Sequence, residues 1–177
     1  MIHQGTFTHS TIENIKIWQE FEGKLARFIS LNEIKCQQQV FDQQVADSAA
    51  CSKILKVDCC KILKTILLDN KSDGSILALV VAGNKSINRA AIKKLIGTKD
   101  LPLVAAETLP ARVGYPAGGV PPFGYNAKFF IDSELTLDPK VEYFAGGGSP
   151  RSLIIIKISE IMKASSPEVF EITRKTD

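Results

Sequence analysis

Residues 60–82 read CKILKTILLDNKSDGSILALVVA, and this stretch decides the fold class. Two apolar, partly β-branched runs, 62–68 and 76–82, flank the polar hexad DNKSDG, so the segment is predicted to be a β-hairpin. Period-two alternation in the first run puts Ile62, Lys64, Ile66 and Leu68 on one face and Leu63, Thr65 and Leu67 on the other. Lys64 therefore interrupts an apolar file. Desolvation there would depress its pKa, and a cleft lysine can hold an anion or a polar carbonyl. A lysine near a strand end that snorkels to water satisfies the same pattern.

Toward the N-terminus, the four residues Ser10, Thr11, Ile12 and Glu13 form a capping box. Ile15, Trp18, Phe21, Leu25 and Phe28 then recur at spacings of three and four, which predicts an amphipathic helix to about residue 29. Residues 47–55 predict a second short helix. Beyond the hairpin, Ser86 or Asn88 caps a helix that runs to Ile96 and stops at Gly97. A short strand is expected over 101–105, a helical turn over 107–112, and strands over 128–131, 141–144 and 152–158. Ser159 is expected to cap a last helix over 160–164, and the tail after Ser165 to fray. Strand hairpins mixed with helices give an α+β domain, built on a single mixed, largely antiparallel twisted sheet with surrounding helices.

The chain has 177 residues, 45% of them hydrophobic, which suits one domain with a sizeable core and excludes intrinsic disorder. A net charge of +3 does not by itself call for a nucleic-acid partner. The longest apolar run is far short of a membrane span, and the first ten residues are too polar for a signal peptide, so a cytoplasmic location and no membrane contact are expected. Cys36, Cys51, Cys59 and Cys60 lack zinc-ligand spacing and are expected to be reduced thiols. The histidines, His3 and His9, both lie in the polar N-terminal tail. A histidine-dependent nucleophilic site is therefore not available, and there is no GxSxG elbow, P-loop, GxGxxG or metal cluster. Neither a cofactor nor a metal is expected. Any catalysis must use lysine, backbone amides or the substrate's own groups.

Two glycine loops are candidates for such a site. Residues 114–124 read GYPAGGVPPFG, with Gly114, Gly118 and Gly119 ahead of Val120 and Pro121. Glycine lets the backbone approach a ligand closely and proline stiffens the loop, so the Gly118 and Gly119 amides can face an oxyanion or carbonyl. A rigid connection between strands accounts for the same residues. Residues 146–150 read GGGSP, and Gly146, Gly147 and Ser149 pose the same choice. Asp132, closing a strand, can orient a lysine or a substrate amine, or cap a turn. Lys85, Arg89 and Lys93, spaced by four along the helix predicted to run to Ile96, make a cationic stripe suited to phosphates or to plain solvation.

The order of these pieces resembles the YbaK/ProX family, the editing domains related to the insertion domain of prolyl-tRNA synthetase. The resemblance covers roughly residues 47–174. It is carried by CKILKTILL at 60–68, LALVVAG at 77–83, AAIKKLIG at 90–97, VGYPAGGVPPFG at 113–124, FFID at 129–132 and YFAGGGSPRSL at 143–153. It implies a free-standing editing domain over 31–177, with residues 1–30 a helical extension that can meet another partner. It also implies hydrolysis of the ester of mischarged aminoacyl-tRNA, a small amino acid such as alanine or cysteine on tRNA(Pro), with mischarged tRNA and prolyl-tRNA synthetase as partners. By resemblance Lys64 is the essential lysine, Gly118 the loop glycine that positions the aminoacyl carbonyl, and residues 146–150 the second loop at the pocket mouth. Val113 stands where the family usually has threonine, and GGSPR stands where the cysteine-specific branch has GKRG. These departures favour alanine or another small amino acid over cysteine. A non-catalytic tRNA- or synthetase-binding relative, or a small-ligand regulatory module, remains open at this point.

Overall fold

Where both faces of a strand are covered, its sequence reads as a continuous apolar run, and residues 76–82 obey that rule. A computed structural model describes residues 9–174, with side chains from Glu13 onward, and in it every residue of that run is buried. The chain order is α1 (His9–Leu31), β1 (Cys36–Val40), α2 (Ser48–Leu55), β2 (Leu63–Asp69), β3 (Ile76–Ala82), α3 (Arg89–Ile96), α4 (Leu109–Arg112), β4 (Lys128–Asp132), β5 (Glu142–Gly146), β6 (Ser152–Lys157), α5 (Ile158–Ser165) and β7 (Glu168–Phe170), with short 3-10 turns between. The capping-box side chains at Ser10 and Thr11, and both histidines, lie outside the described side chains.

The α+β class holds, but the strands divide into two sheets. One has the order β1-β6-β5 and is antiparallel throughout. The other has the order β2-β3-β4-β7; the β2–β3 hairpin is antiparallel and the other two pairings are parallel. A single bridge from Ile62 to Phe144 joins them. Between the sheets Leu63, Val80, Ile131, Ile154 and Ile156 pack with Tyr115 and Phe123, and α1 adds Leu25. On the far side of β3, Leu79 and Val81 meet Ile92 of α3.

Local chemistry explains most boundaries. The Asp47 carboxylate accepts from the Ala50 amide at 2.7 Å and starts α2. Asn88 does the same for α3, and Gly97 ends it at φ +75°. Three expectations fail. Residues 101–105 form no strand: Pro102 has no amide to donate, and the segment makes one bridge, Leu68 to Leu103. Ser159 does not cap α5, because the helix starts at Ile158 and the Ser159 amide bonds the Pro139 carbonyl. Over its described residues, 166–174, the tail does not fray. Its β7 pairs with β4, and Ile172 and Thr173 are buried.

Helix α1 is fastened to the second glycine loop by a buried ion pair. Arg151 donates to Glu22 at 2.9 and 3.2 Å, and the Ser149 hydroxyl adds a third bond at 2.7 Å. Gln38 of β1 bonds the Gly147 carbonyl at 2.8 Å. Glu22→Gln removes the charge facing a guanidinium that has little other solvation. The free energy of unfolding is expected to drop by about 2 kcal/mol, measured by urea titration, and an unmoved midpoint would refute this account.

Candidate functional site

Strand β2 is the outer strand of its sheet, so one edge of its backbone lacks a neighbouring strand. Along that edge lies a cavity of about 280 Å³. Its walls come from distant parts of the chain. Val45, Ala46 and Ser48 arrive ahead of and within α2; Leu103, Val104 and Leu109 close one end; Ala117, Gly118 and Val120 belong to the first glycine loop; Gly146 and Leu153 belong to the three-stranded sheet. Lys64 and Thr65 supply the β2 side.

Lys64 shares a face with Ile66 and Leu68, as alternation requires, and its Nζ donates to the Gly83 carbonyl at 3.2 Å. Burial holds its pKa below the usual lysine value, and the nearby Cys59 thiol works in the opposite direction. Gly83 itself is closely packed: a Cβ there would lie 2.7 Å from the Cys59 carbonyl oxygen and 2.8 Å from the Ser48 hydroxyl. Sequence reasoning did not single out Ser48, Cys59 or Gly83. The signal for the first was the Asp47 cap, which brings the start of α2 to the cavity.

The two glycine loops meet backbone to backbone. The Gly148 amide donates to the Gly119 carbonyl at 2.8 Å, and a Cβ on Gly146 would overlap the Val120 carbonyl oxygen. Gly118 sits at φ +77°, with Ala46 against it, as the third residue of a turn closed by the Gly119 amide on the Pro116 carbonyl at 3.1 Å. The Gly119 amide is thus committed within the protein. The expected amide pair at Gly118 and Gly119 reduces to the Gly118 amide.

The remaining candidates lie elsewhere. Pro121 accepts from the Tyr125 hydroxyl at 3.0 Å, and Gly114 lies against Lys24. Gly147 bonds Ser152 and Gln38, and Ser149 is fully buried in the Glu22 network. Asp132 is buried with its carboxylate on the amides of Glu134, Ile172 and Thr173, so it fastens the segment that follows β7. Two members of the cationic stripe are engaged internally: Lys85 pairs with Glu134 at 3.0 Å, and the Arg89 guanidinium bonds the Leu101 carbonyl. Lys93 is half-buried on α3.

Among the described residues no histidine or carboxylate lines the cavity, and no group of three histidines, cysteines or carboxylates is placed to hold a metal. The four cysteines are unpaired, and burial pushes the Cys51 thiol up to about 11, out of nucleophile range. Among the described residues no helix is long and apolar enough to cross a membrane. What the cavity offers is a partly desolvated lysine, the Gly118 backbone of the first loop, the outer edge of β2 at Thr65 and mostly apolar walls.

Comparison with known proteins shows what the chain resembles. A proline–tRNA ligase of Caldicellulosiruptor saccharolyticus is 26% identical over 103 residues, 58% of this chain and 18% of the ligase. That of Solidesulfovibrio magneticus is 34% identical over 84 residues, 47% of this chain and 14% of the ligase. The chain therefore spans under a fifth of the ligases it matches. A crystal structure of a hypothetical protein superposes with a TM-score of 0.76 at 26% identity, covering 85% of this chain and 99% of that one. A candidate trans-editing enzyme for prolyl-tRNA synthetase shares the fold, with a TM-score of 0.77 at 18% identity over 87% of this chain and 97% of that one. The model of the aminoacyl-tRNA editing domain matches residues 42–164, which include both glycine loops and the lysine strand, and the chain belongs to that family.

Proposed function

We propose that the protein is a trans-editing hydrolase that deacylates mischarged aminoacyl-tRNA, a small amino acid such as alanine or cysteine on tRNA(Pro), with alanine favoured. The observation that carries this reading is the placement of Lys64 and Gly118 in the walls of one small apolar cavity. Ester hydrolysis needs a polarised carbonyl, an oriented water and stabilisation of a developing oxyanion. The Gly118 amide is the donor for the carbonyl oxygen. The Lys64 ammonium, tethered at the Gly83 carbonyl, takes the anionic 3′ end of the tRNA. With no histidine or carboxylate among the described residues of the walls, the proton of the attacking water passes to a group of the substrate, its ribose hydroxyl or its amine. Val45, Leu109 and Val120 leave room for a small side chain, and larger cognate residues are excluded by steric cost. Prolyl-tRNA synthetase is the partner this role calls for.

The test is incubation with alanyl-, cysteinyl- and seryl-tRNA(Pro) while ester loss is followed. Selective loss of one ester, alanyl foremost, is expected. Survival of all three would refute the deacylase reading, and a salt-dependent tRNA titration would then reveal a non-catalytic binder.

A further inference from the structure

In an antiparallel pair the backbone groups of successive residues point alternately toward the partner strand and away from it. In β2 the direction of each residue can be read from its bonds. The Ile62 carbonyl accepts from Gly83, toward β3, which assigns Lys64, Ile66 and Leu68 to that side. The Leu67 carbonyl accepts from the Val104 amide at 3.0 Å and the Asp69 amide donates to Pro102 at 2.8 Å, both on the outer side. Thr65 belongs with Leu67 and Asp69. Its amide and carbonyl face outward, its only strand partner is Val80 on the other side, and the segment that covers Leu67 and Asp69 stops short of it. Thr65 lines the cavity. An unpaired strand edge inside a largely apolar cavity is a strong hydrogen-bonding group that lacks a protein partner.

We infer that the Thr65 backbone carbonyl receives the α-amino group of the aminoacyl ester, so that the site takes substrates with a free α-nitrogen and rejects those without a donor there. The inference rests on the deacylase reading. An α-amino group has to be matched by something, and among the described residues no carboxylate lines the cavity to form an ion pair. The one cation in the walls, Lys64, opposes a second positive charge nearby. A backbone carbonyl suits this setting because it accepts from a neutral amine, and an α-amino group loses its charge near pH 8, at about 7.7–8.0 in model peptides. With the ester carbonyl on Gly118 and the amine on Thr65, the aminoacyl group is held at two points across the cavity. Its side chain then faces the apolar wall. N-acylated chains, peptidyl-tRNA among them, lose this contact.

The experiment uses tRNA(Pro) ending in 3′-amino-3′-deoxyadenosine, which carries the acyl group as an uncleavable amide. Alanyl, lactyl and propionyl amides differ only in having an amine, a hydroxyl or a hydrogen on the α-carbon. Propionyl-tRNA is expected to bind about tenfold more weakly than alanyl-tRNA, the loss of one buried hydrogen bond, with the lactyl form between them. A crystal structure of the alanyl complex is expected to place the α-nitrogen within hydrogen-bond distance of the Thr65 carbonyl oxygen. Equal binding of alanyl and propionyl forms, or an α-nitrogen on another group, overturns the inference and leaves the deacylase reading standing. Alanyl-tRNA that binds no better than uncharged tRNA overturns both.

Discussion

Lys64→Ala is expected to slow aminoacyl-ester cleavage by about a hundredfold or more, with no loss of thermal stability. The two halves of this result have one cause. The ammonium sits where burial holds its pKa below the ordinary lysine value, so its charge is less well solvated in the native protein than in the unfolded chain. Between the lowered folded pKa and the unfolded one, the unfolded chain binds more protons, and stability rises with pH. Below both values the native state carries the full cost of the buried charge. Removing the charge relieves that cost. Lys64→Met, which keeps the stem, is therefore expected to melt no lower than the parent. A lysine retained for packing would behave in the opposite way, with a lower melting temperature and intact turnover.

The same reasoning sets the pH profile. If the ammonium holds the tRNA end, activity corrected for spontaneous ester loss falls on the alkaline side, at a pH below the ordinary lysine value of about 10.4. Turnover of alanyl-tRNA(Pro) at neutral pH, with parent and variant side by side, decides the matter. Unchanged kcat/KM in Lys64→Ala would end the assignment.

Lys64 was legible because a charge in an apolar alternation is a local signal, and the hairpin around it was legible for the same reason. What stayed hidden depends on partners far along the chain. Ser149 bonds Glu22, 127 residues away, and Asp132 bonds Ile172, 40 residues away. A buried polar residue that fastens two segments has the same local sequence as one that faces a ligand. Strand β7 was lost likewise: three residues after a left-handed Ser166 carry too little pattern, and only the edge of β4 makes them a strand. The division into two sheets follows from the pairing of β6 with both β1 and β5, which no local periodicity reports. Within the GG pair, composition could not say which amide was free. The turn that closes on Pro116 decides it, and leaves Gly118 alone.

That turn makes Gly119 the most sensitive position in the first loop. A Cβ on Gly119 would stand 2.5 Å from the Ser149 nitrogen, 2.6 Å from its Cα and 2.7 Å from the Gly148 carbonyl carbon. All three are backbone atoms, so no rotamer change makes room. The loops can separate only by breaking the Gly148–Gly119 hydrogen bond, and Ser149 is itself held by Glu22 and Ser152. Gly119→Ala is expected to destabilise the protein by about 4 kcal/mol or more, in the range reserved for substitutions that force packed elements apart. Urea titration measures it, and a loss under about 1 kcal/mol would show that the loops are not in close contact. Gly118→Ala is a different lesion. Its φ of +77° strains any side chain, and the contact at 2.6 Å is with one side-chain atom, the Ala46 methyl, while the Ala46 backbone stands off at 3.2 Å. It is expected to cost less stability, yet to slow turnover, because the proposed donor to the ester carbonyl is the Gly118 amide. The two neighbouring glycines should therefore separate in experiment, Gly119 governing the fold of the loop pair and Gly118 the rate.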